Sequence, residues 1–256
     1  MKLDCRMNGQ ALGAVDERVQ VLDVEEEPQV RLVSCADAGR GGLRFLRRER
    51  ESLTVHIRLC VRERDVVRRT QVLDKIAAWC GDGILTANHR PGQRLHCVCV
   101  QCGGASALRW TEETEILFRA YGRPWWESET PAVVRLNAGQ KKTLCTPGHG
   151  EEALAEAELC NAGEEMVNEA VIRCGDTWMR FEQLGLAKGE RLVMRHDREG
   201  LLQLRVMGSN GERSAMDKRT AQSTDELLAV PGKGVPVTLE ADGQAEGVIR
   251  TWGRYC

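Results

Sequence analysis

At 256 residues the chain has room for one large domain or two modest ones at a typical size of about 150 residues, and the spread of its features favours two. Its 36 Lys and Arg nearly balance 38 Asp and Glu, which excludes the strongly basic signature of a nucleic-acid coat or a polybasic membrane binder. With 42% hydrophobic and 29% charged residues the composition is that of an ordinary globular protein, and disorder is excluded as the main state.

The first third reads as strands. Leu3 to Met7 runs into the turn pair Asn8-Gly9, and two short β-branched runs follow, Val19 to Val24 and, beyond Pro28, Gln29 to Val33. Gly39-Arg40-Gly41-Gly42 then permits a turn through positive φ. From Leu53 to Val61 the odd positions Leu53, Val55, Ile57, Leu59 and Val61 are apolar and the even ones mostly polar, the pattern of a strand with one buried face. The period then changes to about 3.6, and Val66, Thr70, Leu73, Ile76, Ala77 and Cys80 predict one amphipathic helix over 66–80, capped by Asp65 at its start and Gly81 at its end. About 22 Å long at 1.5 Å per residue, it can cover one sheet face.

Strand signals return at Ile84 to Thr86, Leu95 to Val100 and Glu115 to Tyr121, divided by Arg90-Pro91-Gly92 and Gly103-Gly104 and closed by Pro124-Trp125-Trp126. Residues 130–150, rich in glycine and proline with only brief strand signals, read as the junction between two domains, 1–128 and 129–256. Beyond it, apolar segments recur every 10 to 12 residues or so from Val167 to Trp252, separated by turn pairs such as Gly175-Asp176, Lys188-Gly189 and Pro231-Gly232. The predicted fold class is mainly β: an α+β first domain with one helix on a sheet, then an antiparallel sandwich.

Few features carry chemistry. No phosphate-binding loop and no nucleophile elbow is present, so nucleotide and Ser-His-Asp enzymes have no support. His96-Cys97-Val98-Cys99-Val100-Gln101-Cys102 has metal-like spacing but no second ligand pair, so Cys97 and Cys99 read as small core residues, and the eleven cysteines as mostly reduced and buried. Nine arginines against four acids between Arg44 and Arg69 make the face of His56, Arg58, Arg62 and Arg64 a candidate protein interface, because stacking aromatics are nearly absent there. No cofactor, metal or catalytic group is expected. No apolar run approaches the ~18 residues that cross a bilayer. Charges at Met1-Lys2-Leu3-Asp4-Cys5-Arg6 occupy the place of a leader's apolar stretch, so folding inside a cell without membrane insertion is expected.

The order of features resembles a known family. A β-rich first half with one helix ending in Ile76-Ala77-Ala78-Trp79, a hairpin, and then Ile116-Leu117-Phe118-Arg119-Ala120-Tyr121-Gly122-Arg123-Pro124-Trp125-Trp126 is similar to the distal tail proteins of long non-contractile-tailed bacteriophages. The Gly39, Gly41 and Gly42 turn, Asn161-Ala162-Gly163, the strand pair from Glu190 to Met207 and Val230-Pro231-Gly232 resemble that family's structural turns and its galectin-like C-terminal domain. The resemblance implies a structural virion protein made in the bacterial host cytoplasm. It would form a homo-hexameric ring at the distal end of the tail tube, meeting the tail-tube protein and the tail-tip or tail-associated protein. A receptor-binding protein is a possible further partner, and DNA would pass without sequence recognition. A different expectation is a carbohydrate-binding module for host attachment, which needs an exposed aromatic; Trp178 is best placed, although at the start of a strand it reads as core.

Overall fold

The computed structural model describes residues 3–36, 43–103, 112–148, 152–197, 200–209 and 211–255, without the side chains of residues 36, 43, 44, 47, 48 and 112. The turn of Gly39, Gly41 and Gly42 lies outside the described residues. Two compact units divide the chain, Met1–Trp126 and Glu127–Cys256. Both are built mainly from antiparallel strands, as the alternating apolar pattern predicts.

The first unit contains β1 (Cys5–Met7), β2 (Gln10–Ala11), β3 (Val19–Ala36), β4 (Leu43–Val61), α1 (Val66–Trp79), β5 (Asp82–Ala87), β6 (Gln93–Cys102) and β7 (Glu112–Ala120). Its strands lie in the order β2-β1-β5-β6-β7-β4-β3. Asn8 and Gly9 reverse the chain at φ of 51° and 84°, the left-handed values of a tight hairpin turn. The odd positions of β4 from Leu53 to Val61 are buried beside Ile116, Phe118 and Ala120 of β7. Helix α1 contacts β4 and covers this apolar face: the Trp79 ring meets Phe118 edge-on at 5.9 Å, and its Nε1 donates to the Gln10 carbonyl at 2.8 Å.

Three local expectations change. The two short runs around Pro28 are one 18-residue strand, β3, tolerated because β3 ends the sheet and Pro28 removes no ladder bond from an inner strand. Helix α1 buries Arg69, Val72, Leu73, Ile76 and Trp79, while Val66, Thr70 and Ala77 are exposed. Arg69 can enter because its guanidinium donates to the Glu63 carbonyl at 3.2 Å. Asp65 caps the start, accepting from Arg68 N, but the helix ends with Cys80 in extended backbone at φ −68° and ψ 126°, and Gly81 takes no left-handed conformation. The positive φ falls at Gly83 (143°), where a Cβ would overlap the Asn8 side chain.

The second unit is a sandwich. After β8 (Trp126–Ser128) come β9 (Ala132–Asn137), β10 (Lys141–Cys145), β11 (Ala153–Asn161), β12 (Ala170–Cys174), β13 (Thr177–Phe181), β14 (Arg191–His196), β15 (Leu202–Gly208), β16 (Gly211–Ser214), β17 (Leu228–Ala229), β18 (Gly234–Ala241), β19 (Ala245–Thr251) and β20 (Arg254–Tyr255). One sheet runs β10-β18-β12-β13, the other β16-β15-β14-β11-β19-β9, with β17 beside β11. Leu144, Ile172, Met179, Phe181, Val237 and Leu239 of the first and Leu136, Leu159, Leu192, Met194, Leu204 and Ile249 of the second share one core. Residues 130–150 hold two sandwich strands, β9 and β10, rather than a linker. Strand β11 carries no strand signal in the sequence because Ala, Glu and Leu favour helices. Its burial nevertheless alternates strictly, with Ala153, Ala155, Ala157 and Leu159 inward, between β14 and β19.

Candidate assembly surface

Strand β4 pairs with β7 only from Leu53 to Val61, whereas it pairs with β3 along its whole length, Ala36 meeting Leu43 at the far end. Among the described residues, Gln29–Ala36 and Leu43–Ser52 therefore pair only with each other, as a two-stranded arm. Its ten β4 residues reach about 30 Å at 3.3 Å per residue. Register shifts at Gln29/Val30 and Val33/Ser34 bend it. Leu32, Phe45 and Leu46 on this arm are 65%, 61% and 53% exposed. Between Gln29 and Ser52 the sequence holds six arginines and three acids, a net basic composition. A two-stranded ribbon is marginal in water and presents unpaired backbone groups on both flanks. The arm has the properties of an element completed by another surface.

The outer edge of β3 continues that surface, since β3 ends the sheet and no described strand pairs beyond it. Sequence reasoning did not single out Leu32, Phe45 and Leu46. The available signal was the run Leu43-Arg44-Phe45-Leu46-Arg47-Arg48, whose apolar residues match neither a helical stripe nor a clean alternation.

The face of His56 and Arg58 is a mixed-charge ladder. His56 Nδ1 lies 3.0 Å from Glu115 of β7 and its Nε2 3.5 Å from Glu27 of β3. Arg58 pairs with Asp23 and, at 3.1 Å, with Glu25. The Arg58 guanidinium beside Asp23 holds that carboxyl below its usual range. Opposite charges thus alternate across three strands, and no bare basic stripe forms from these two residues. Arg62 and Arg64 are exposed past the end of β4, on the path to α1, and Arg62 N donates to the Arg18 carbonyl at 3.0 Å.

A separate network fixes α1 to the root of β3. Arg18 grips Asp16 through Nε at 2.7 Å and Nη2 at 2.8 Å, and Lys75 of α1 reaches the same carboxylate at 3.0 Å. The Arg18 hydrogen bonds, helped by Lys75, hold the Asp16 carboxyl well below the ordinary carboxylate range. On the inner half of β3, Glu26 accepts from Arg90 at 3.0 and 2.6 Å and lies 3.2 Å from His89, and both residues flank the fully buried Trp126 ring. Pro124 is buried and Trp125 half-buried just before it, so this aromatic corner packs rather than binds.

The remaining turn residues shape the sandwich. Asn161, 1% exposed, donates through Nδ2 to the Glu165 and Leu186 carbonyls at 2.7 and 2.8 Å and accepts from Gly163 N at 2.9 Å. Pro231 is buried, and Gly232 turns the chain at φ 74° while its N donates to Thr146 O at 2.8 Å. Trp178 is not core: it lies half-buried on the outer side of β13, opposite Arg173, whose guanidinium sits 5.8 Å from the ring centroid and covers part of the face a sugar would use.

The cysteines also differ from expectation. Of the ten described, Cys5, Cys60, Cys97 and Cys174 are buried, Cys35 and Cys145 exposed, and the others intermediate, Cys99 among them. Burial pushes the Cys97 thiol up to about 12. Among the described residues no group of three or more His, Cys, Asp or Glu is placed to hold a metal ion, and no helix is long and apolar enough to cross a membrane.

No protein-family model matches the chain, and no curated protein matches it in sequence. Solved structures do match. The Dit (gp 19.1) protein of phage SPP1, described as a paradigm of the hub adsorption apparatus of phages infecting Gram-positive bacteria, aligns over 98% of this chain and 99% of its own with a TM-score of 0.70 at 11% identity. The phage P2 baseplate in its activated conformation aligns at TM-scores of 0.51 with Ca and 0.52 with Sr, each at 7% identity over 98% of this chain and 97% of that one. At such identities the likeness is one of fold, and it runs the length of the chain. This chain has the fold of a phage distal tail, or Dit, protein.

Proposed function

We propose that this chain is a structural, non-catalytic hub subunit of a phage tail. The reading is that six copies close into a ring at the distal end of the tail tube, with the first unit making the ring and the second, galectin-like unit projecting from it. The ring joins the tube protein to the tail-tip protein, carries attachment to the host, and leaves a passage for DNA. The carrying observation is the arm and open edge of β3 and β4, set in a fold shared from end to end with a hub protein. A head-to-tail contact, in which the arm of one copy lies on the sheet of the next, closes into a ring when its rotation divides the circle. Each buried Leu or Phe on the arm contributes about 1.5–3 kcal/mol, so three together support a stable contact.

Negative-stain imaging and light scattering of the purified chain, alone and mixed with tail-tube protein, test the reading. Six-fold rings with a central opening are expected. A strict monomer at high concentration, with no ring even beside the tube protein, contradicts it.

A further inference from the structure

Three thiols that the assembly reading does not use meet on one side of the first unit's sheet. In a regular strand Cys99 and Cys102 point to opposite faces, because they are an odd number of residues apart. The register of β6 against β7 shifts between Cys99 and Gln101, so that Cys99 lies opposite Phe118 and Cys102 opposite Ile116. Phe118 and Ile116 are both fully buried on the α1 side, and directly opposed residues share a face, so the bulge turns both thiols toward the helix. Cys80 is the first residue past α1, and the backbone locks it to the same place: Cys99 N donates to the Gly81 carbonyl at 2.9 Å. Burial, and then the nearness of the Cys102 and Cys99 thiols, push the Cys80 thiol upward. All three are partly accessible and none is in a disulfide.

We propose that this cluster is a built-in redox staple, in which a two-electron oxidation joins Cys80 at the end of α1 to one of the two strand thiols, Cys99 or Cys102. The oxidant class is a small dialkyl disulfide. A strand thiolate attacks one sulfur of the reagent, forming a mixed disulfide and releasing one small thiol. The Cys80 sulfur then attacks the strand sulfur, loses its proton to water and displaces the second small thiol. One S–S bond is formed in the protein for the one broken in the reagent, and the two electrons and two protons end on two small thiols. Because the attacking species is a thiolate, stapling is expected to speed up as pH rises. The inference stands apart from the hub reading. If that reading holds, the subunit folds unconstrained in a reducing cytoplasm and gains a crosslink outside it.

The test uses the full chain carrying Cys35→Ser and Cys145→Ser, which removes the two exposed thiols among the described residues. The reduced protein is treated with oxidised glutathione, free thiols are blocked, and unreduced peptides are mapped by mass spectrometry. A bond from Cys80 to Cys99 or Cys102 is expected, retained in Cys97→Ser and absent from the Cys99→Ser/Cys102→Ser pair. The oxidised form is expected to melt roughly 5–10 °C higher, the scale of closing a loop of about 20 residues. Cys80 recovered blocked and unlinked, or a link that survives the double strand variant, overturns the proposal. Circular dichroism of the variants verifies that they fold, and in the parent protein the peptide map decides alone.

Discussion

The sandwich of the second unit and the ribbon of the first are both antiparallel, yet they treat their edges in opposite ways. The edge strand β13 is sealed by the segment after β16: Thr220 N and Thr224 N donate to the Arg180 and Trp178 carbonyls at 2.9 Å each, and the hydroxyls of Ser223 and Thr224 accept from Arg180 N and Trp178 N at 3.0 Å. At the far end of the larger sheet, β16 is four exposed residues long, and its Arg213 is pinned by Glu190 at 2.8 and 2.9 Å. Short, charged and covered edges prevent strand addition. Strand β3 is 18 residues long and ends its sheet, and its outer half carries the exposed Leu32, next to Phe45 and Leu46 of β4. The contrast is between the covered or short edges at β13 and β16 and the long edge of β3 beyond which no described strand pairs.

Substitutions sharpen this contrast, from the largest expected effect on folding to none. Phe181→Ala empties the middle of the sandwich core and is expected to destabilise the second unit by about 3–5 kcal/mol, read by denaturant unfolding. Asp16→Asn removes the carboxylate between Arg18 and Lys75 and is expected to cost about 2 kcal/mol at neutral pH. Because the Asp16 carboxyl titrates lower when folded, its contribution is complete above the unfolded value near 4 and is lost as pH falls toward the folded value. The gap between parent and variant should therefore narrow below about pH 4, and a gap that is flat with pH would refute the assignment. Thr224→Val unseals β13 by removing bonds to Trp178 N, Trp178 O and Glu226 O, at about 1–2 kcal/mol. Phe45→Asp on the arm should leave the melting temperature of the isolated subunit unchanged, because Phe45 is 61% exposed and holds no core together.

Much of the architecture was legible in the sequence, and the failures have physical causes. The inner half of β4 was readable because one of its faces is wholly buried and the other is polar, apart from Cys60. Helix α1 was readable by period but not by phase, since a buried arginine breaks the rule that charge marks the solvent side. Strand β11 was hidden because its inward positions are small: alanine satisfies a tightly packed sandwich centre while signalling helix. The continuity of β3 through Pro28 depends on its place at the sheet's end, a fact of topology that no local window contains. The mixed charge of the face of His56 and Arg58 was hidden for the same reason, as its carboxylate partners Asp23, Glu25, Glu27 and Glu115 come from two other strands. The arm was invisible because a strand's exposure depends on where its neighbour stops.

Sedimentation velocity on the parent and on Leu32→Asp/Phe45→Asp/Leu46→Asp, at equal concentration and with melting curves beside them, bears most directly on the open-edge account. The account predicts a parent that sediments as a closed multi-subunit species and a variant that remains a folded single subunit with the same melting temperature. A variant that assembles to the same mass as the parent would show that the arm does not join the copies.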